Sequence, residues 1–448
     1  MAADRPARGI AAIFTGRSAT RVAVHAGGTL AGSIAQLVAI GLVARLCAPD
    51  RWALVMELLA AVAMFEVASD FGGRFWYGER FALGGDTRRL MRLALLHKAV
   101  WSAAALAAAL VLMPGSVPRP LIALAALIGY SQPMSDPLLW MLRATGRTDR
   151  EAGAALASRL AAIAGFSGLA IAGAPMWAAC AAWLATNLLR FAVLRAFAGP
   201  LPAVTVPSAE IDPPRLRDSL LQAFPLGGAM VLQSLQNRIG TFLVGDGCDA
   251  RVVGEFSSVF SLVAASSFVG TSVTATMFGA LVEGAKAERA GGRDESVRQL
   301  LARLRLVLVA VSAAGIVASP LAIPLFLGHR SEGALLAAFV LWTGLYFSVA
   351  QFNLRLSMSA RGKAGWDAAA MVAGLVVLFA THFVPVECGH RAALVASGWC
   401  AAELTSLAIK YAVLWRRAVD GRTIAADLAT LGGLAGLAVL VQRLSSTA

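Results

Sequence analysis

Charge is scarce in this chain. Asp, Glu, Lys and Arg together make up 15% of the 448 residues, apolar residues make up 58%, and mean hydropathy is +0.70. So thin a polar complement excludes a soluble globular protein, and the apolar runs of about 20 residues are more numerous than any soluble core requires. Cysteine is sparse too. Cys47, Cys180, Cys248, Cys388 and Cys400 form no C-x-x-C pair and show no ligand spacing with the five histidines, which argues against a metal or redox site; Cys47, Cys248 and Cys388 fall at outer span ends, where oxidation is open to them, small buried thiols being the favoured reading. No P-loop or Rossmann glycine pattern occurs, so bound nucleotide is not indicated, and no cofactor is expected. The first apolar run, from about Val22 to Leu46, is too long for a signal-peptide core and lacks a convincing A-x-A site, and reads as an uncleaved span.

What is abundant is basic charge, with 39 Lys and Arg against 26 Asp and Glu and a net charge of +13. A nucleic-acid partner does not follow, because the cations gather at alternate ends of apolar windows. Twelve windows are predicted: Ser18 to Cys47, Arg51 to Gly72, Leu90 to Met113, Pro120 to Leu142, Arg150 to Ala172, Met176 to Phe197, Asp218 to Gly245, Val252 to Val282, Arg298 to Leu327, Gly333 to Ser359, Gly365 to Val386 and Arg391 to Trp415. With the N-terminus in the cytoplasm, 27 cations fall at inner ends and six at outer ends (Arg45, Arg51, Arg119, Arg251, Arg330, Arg391). That asymmetry supports the register, since one missed span would scramble it. The expected fold is an all-α polytopic membrane protein of about 12 transmembrane helices, with residues 1–197 and 218–417 as two six-helix halves and 198–217 as a cytoplasmic linker. Residues 418–448 form a tail in which Ile424 to Val441, interrupted by Asp427, is read equally as a thirteenth span or as a helix on the inner surface. Outer loops are short, which weighs against polymerases and ligases that act on saccharides through a large outer loop.

Two echoes suggest an internal duplication. Gly27-Gly28, Gln36 and Leu42-Val43 resemble Gly227-Gly228, Gln236 and Leu243-Val244 at an offset of about 200 positions, and Ala144-Thr145-Gly146-Arg147 resembles Ala360-Arg361-Gly362-Lys363 at about 216.

Span 7 carries the main polar constellation. At about 100° per residue, Gln233, Ser234, Gln236, Asn237, Arg238, Gly240 and Thr241 fill one arc and Val231, Leu232, Leu235, Ile239, Phe242 and Leu243 the other, as expected of a helix with lipid on one side and a wet cavity on the other. Arg159 lies about 13 Å along span 5 from Arg150, too deep to snorkel easily, and is read equally as a cavity cation or a structural one. Arg190 and Arg355 read as anchors near inner span ends. Glu66 and Asp70 stand at i and i+4 on span 2, with His25, His97 and Lys98 at a similar depth; a structural ion network and a proton- or ion-coupling site are both open, the network being favoured. Glu403, Ser406 and Lys410 share a face of span 12 and read equally as a helix–helix contact or a transport contact.

The two six-span halves, Phe224-Pro225-Leu226 in span 7, Val253-Gly254-Glu255-Phe256-Ser257, and Ser69-Asp70-Phe71-Gly72 at the end of span 2 resemble the O-antigen and exopolysaccharide flippases of the multidrug/oligosaccharidyl-lipid/polysaccharide exporter superfamily. The resemblance implies two pseudo-symmetric lobes around a central cavity, no enzymatic chemistry, and transfer of an undecaprenyl-pyrophosphate-linked glycan between leaflets of the bacterial inner membrane. Its partners would be membrane lipid and an anionic lipid-linked glycan, with no nucleic acid. Desolvated cations and amides would bind such a headgroup, and Arg238, Asn237, Gln236, Gln233, Arg159 and Gln36 could supply them. Alternatives are a cation-coupled drug exporter of the same superfamily, which Glu66 and Asp70 would serve, a major facilitator transporter, whose Asp-Arg-x-Gly-Arg pattern Asp70-Phe71-Gly72-Gly73-Arg74 departs from, and a membrane saccharide-modifying enzyme.

Overall fold

A computed structural model describes residues 17–73, 76–77, 87–112, 118–139, 148–198, 215–267, 296–361, 363–415 and 419–446. Among them are thirteen α-helices: α1 (Arg17–Leu46), α2 (Pro49–Asp70), α3 (Thr87–Leu112), α4 (Arg119–Ser131), α5 (Thr148–Ile171), α6 (Met176–Ala198), α7 (Leu216–Gly245), α8 (Ala250–Ala265), α9 (Ser296–Leu327), α10 (Glu332–Ala360), α11 (Ala364–Ala380), α12 (Cys388–Leu414) and α13 (Gly421–Ser446). The all-α expectation holds, and most helices begin within a few residues of their predicted windows. Span 4 differs: α4 stops at Ser131 and a 3₁₀ turn follows over Pro133–Ser135, because Pro133 lacks an N–H and its ring crowds the preceding turn. The far half of span 8, the echo at 144–147 and most of the linker 198–217 lie outside the described residues.

Eight of the described helices are long and apolar enough to cross a membrane. The thirty-residue α7 is not among them, since Gln233, Ser234, Gln236, Asn237 and Arg238 crowd its centre.

Packing repeats under a shift of six helices. In the first half α1 packs on α5, α5 on α6, α6 on α4, and α4 on α2 and α3; in the second α7 packs on α11, α11 on α12, α12 on α10, and α10 on α8 and α9. Contacts between the halves repeat as well, α2–α7 answering α8–α1 and α3–α7 answering α9–α1. Two lobes thus descend from one six-helix plan.

Two seams join the lobes, one toward each end. At the first, Phe71 takes a left-handed conformation (φ 36°) that brings the chain after α2 against α7, so closely that a Cβ on Gly227 would lie 2.3 Å from the Phe71 carbonyl oxygen. Phe71 stacks on Trp101 at 3.6 Å and tilts against Phe224, Trp76 Nε1 donates to Gln222 at 2.8 Å, and His97 Nδ1 meets the Ser219 hydroxyl at 3.3 Å. At the second, Trp52 lies over Gly254, where a Cβ would come within 2.5 Å of its ring, and Trp52 Nε1 donates to Ser258 at 3.1 Å. The three family-like sequence stretches therefore form the two seams: Ser69 to Gly72 touches the Phe224 to Gly228 segment at one, and Gly254 receives Trp52 at the other.

The tail is a helix that runs beside α9 and parallel to it, since Arg298 reaches Asp420 at 3.3 Å and Arg305 reaches Asp427 at 2.5 Å, seven residues further along both. Asp427, the charge that interrupts the apolar run, is buried: Tyr346 donates to it at 2.6 Å, and Tyr411 and Arg305 complete its partners. The reading of the tail as a surface helix does not survive this packing; α13 lies along a spanning helix and is itself of spanning length. At its start, the Thr423 backbone N–H and hydroxyl donate to Asp420 at 3.0 and 2.8 Å, and the backbone bond, above all, holds this exposed carboxyl below the usual carboxylate range.

Candidate functional site

Two cavities lie where the lobes meet. The first, about 470 Å³, is lined by α1, α2, α5 and α6 and reaches Arg238 of α7 and Ser261 of α8. Its polar wall is Gln36, Glu66, Gln132, Ser158, Arg159, Asn187, Arg190 and Arg238. The second, about 410 Å³, is lined by α7, α8, α10 and α12, with Gln233, Ser234, Asn237, Arg238, Ser348, Arg355 and Trp399. Ala63, Glu66 and Arg238 belong to both linings, so one acid and one base form the partition between them.

Helical period explains who arrives there. On α5, Ser158 and Arg159, Ala162 and Ile163, and Phe166 and Ser167 recur every fourth position; on α6, Trp183, Asn187 and Arg190 do so at four and three. Arg159 Nη2 donates to Gln36 Oε1 at 3.0 Å, and Gly32 of α1 leaves room for it, because a Cβ there would sit 2.8 Å from Arg159 Cδ. Glu66 accepts from Gln132 Nε2 at 2.7 Å, and its charge acts on both Arg159 and Arg238. Arg238 makes no hydrogen bond to another described side chain.

The polar arc of α7 does not stay together. Gln233, Ser234, Asn237 and Arg238, at i, i+1, i+4 and i+5, face the second cavity, and Asn237 Oδ1 accepts from Trp399 Nε1 at 3.1 Å. Gln236, fully buried, turns instead to Gly374 of α11 and lines neither cavity, while Thr241 accepts from Ser257 at 3.0 Å inside the second lobe. Phe242 and Leu243, expected to face lipid, are also buried within the protein, because α7 packs against α2, α8, α11 and α12 at once.

The acidic pair of α2 separates too. Glu66 lines both cavities; Asp70, 0% exposed, is bonded to Lys98, which is 1% exposed and lies 3.4 Å from Asp136. The backbone of α1 at His25 is described, but its side chain lies outside the described part. Glu403, Ser406 and Lys410 are fully buried and line neither cavity: Lys410 holds Asp367 at 2.5 Å and Gln351 Oε1 at 2.7 Å, and Arg355 Nε reaches Asp367 at 2.6 Å. This network ties α10, α11 and α12 together and fixes the guanidinium that the second cavity meets. Sequence reading took Arg190 for an anchor; its i and i+3 relation to Asn187 and its distance from the end of α6 were the available signals that it turns inward.

Among the described residues, the charged side chains across both linings are four arginines and one glutamate. No group of three or more His, Cys, Asp and Glu among the described residues could hold a metal.

Neither a protein-family model nor a curated protein sequence matches the chain. Solved structures do. A lipid II flippase, MurJ, in an inward closed conformation aligns over 94% of this chain and 98% of its own with a TM-score of 0.67 at 11% identity. The chain shares its fold. A eukaryotic MATE transporter, AtDTX14, aligns over 96% of this chain and 99% of its own at TM-score 0.57 and 15% identity, and a MATE in a bent conformation over 98% and 99% at 0.53 and 15%. These likenesses show a shared architecture of helices in two lobes.

Proposed function

We propose that this chain is a transporter of the bacterial cytoplasmic membrane that moves an anionic lipid-linked glycan, of the polyprenyl-pyrophosphate type, from the inner to the outer leaflet, with its N-terminus in the cytoplasm. One observation carries the reading: among the described residues, the cavity linings hold Arg159, Arg190, Arg238 and Arg355 and one carboxylate, Glu66. A cavity for cationic drugs calls for the opposite sign. A guanidinium at mid-membrane costs roughly 2.5–3.5 kcal/mol on insertion scales; Arg355 is already paired with Asp367, so Arg159, Arg190 and Arg238 around open space point to a ligand that helps repay them. Pyrophosphate suits this arrangement, because two planar forks grip its oxygens in bidentate fashion. The lipid-linked cargo named for MurJ agrees in kind.

Arg238 would hand the headgroup between the two cavities, with Arg159, Arg190, Gln36 and Asn187 receiving it on one side and Gln233 and Asn237 on the other. Gln236 would act behind them, packed against Gly374 where α7 meets α11. Glu66 would serve as the counter-ion that keeps Arg238 from binding too tightly. Nothing in this cycle needs a bond to form or break, so the chain is proposed as a carrier and not an enzyme. Deleting the gene tests the reading: a lipid-linked saccharide intermediate is expected to accumulate on the inner leaflet, whereas intact lipid pools with hypersensitivity to cationic drugs would favour drug export.

A further inference from the structure

Two of the five cysteines stand side by side at the end of the second lobe. Cys248 lies in the turn between α7 and α8, and Cys388 is the first residue of α12. The Cys388 thiol donates to the Gly247 carbonyl at 2.9 Å, across 141 positions of sequence, and the Cys248 and Cys388 thiols are within hydrogen-bonding reach of each other. Both are half-buried. Their surroundings are already pinned: Asp246 pairs with His382 at 3.2 Å, and Arg391 donates to the His382 and Val384 carbonyls at 3.3 and 3.2 Å. A bond between the sulfurs would join two segments that their neighbours already hold in place. The other thiols have no such neighbour, Cys180 and Cys400 being buried and Cys47 directed at the Ala170 carbonyl at 3.7 Å.

The cation count places this end outside, since the α7–α8 turn and the start of α12 carry Arg251 and Arg391, two of the six outer cations. Outside the bacterial cytoplasm, disulfides form and persist. We propose that Cys248 and Cys388 form a disulfide that staples the outer end of α7 to α12.

Burial first, and then contact with Cys388, pushes the Cys248 thiol up to about 12. Such a thiol reacts slowly by itself, so pairing takes an oxidant that carries a disulfide, such as a periplasmic dithiol oxidase. One protein thiolate attacks that disulfide and displaces one of its sulfurs, giving a mixed disulfide. The second protein thiolate then attacks the protein sulfur and releases the oxidant as a dithiol. Two electrons pass to the oxidant, and the two thiol protons end on its sulfurs.

The staple has a mechanical consequence. Asn237 and Arg238 lie on the stapled side of Pro225, Gly227 and Gly228, and Asn237 is bonded to Trp399 of α12. With the outer end of α7 fixed to α12, bending in α7 is confined to the Pro225 to Gly228 segment.

Peptide mapping after alkylation in intact cells tests the proposal. The expected result is a Cys248–Cys388 linked peptide, with Cys47, Cys180 and Cys400 recovered only as thiols, and a midpoint of thermal unfolding that falls by about 2–5 °C on reduction. Cys388→Ser should give no linked peptide and the lower midpoint with or without reductant. Full alkylation of both thiols in protein taken directly from cells overturns the proposal. Pairing seen only after diamide treatment of purified protein overturns it equally, since that places the thiols in a reducing compartment. None of these readouts depends on the transported substrate.

Discussion

Glu66 and Asp70 lie one helical turn apart on α2 and do different work. Asp70 and Lys98 form a buried pair, and removing one charge from such a pair costs about 3–5 kcal/mol because the other is left uncompensated. Asp70→Asn is therefore expected to lower thermal stability in detergent strongly, and Asp70→Asn with Lys98→Met to recover part of the loss; equal stability of the two variants would contradict this. Glu66 faces the cavities, so Glu66→Gln should leave stability nearly unchanged, tighten binding of a pyrophosphate headgroup and slow its release. Binding by fluorescence and turnover in vesicles, measured on the same variant, check both directions. Single residues were legible in sequence where depth alone decided, as for Arg159 and Arg238. They were not legible where a neighbouring helix decided: Gln236 and Asn237 are adjacent, yet one faces α11 and the other the cavity, and only the packing of α7 distinguishes them.

At the scale of elements, helix positions followed from apolar windows, but contacts between helices did not. The glycines were the missing clue. Gly227, Gly254 and Gly32 each admit a specific neighbour, Phe71, Trp52 and Arg159 respectively. Gly227→Ala cannot be absorbed by a flexible side chain, since the obstruction is backbone, and over-packing of this kind costs about 1–3 kcal/mol. It should open the first seam. Spin labels at Trp76→Cys and Gln222→Cys in a cysteine-free background are expected to report a longer, broader distance in Gly227→Ala, and an unchanged distance would contradict the role of this seam. Helix α13 depends on one acid in the same way. Asp427→Ala strands Arg305, Tyr346 and Tyr411 together, so the tail should lose its attachment and become accessible to protease, while Asp427→Asn should keep part of it.

The whole molecule is two copies of one packing plan whose polar contents have diverged. The equivalence is visible in Gln36 and Gln236, which the duplication sets at matching places. In the first lobe Gln36 meets Arg159 beside a cavity; in the second, Gln236 meets Gly374, and the space is closed. The first lobe thus lines its cavity with Arg159 and Arg190, whereas in the second the one lobe-specific lining cation beyond α7 among the described residues, Arg355, is paired with Asp367, which Lys410 also holds. With a seam toward each end and cavities between them, alternate opening of either seam would expose the partition at Arg238 to one side and then the other. Transfer of a fluorescent polyprenyl-pyrophosphate oligosaccharide between leaflets of reconstituted vesicles, followed by quenching of the outer leaflet alone, tests this account most directly. Wild-type protein should make nearly all of the probe accessible, and Arg238→Gln, at equal protein level, should slow transfer about 10–100-fold, the loss of charge-assisted hydrogen bonds worth roughly 1.5–3 kcal/mol. Transfer by Arg238→Gln at the wild-type rate would contradict it.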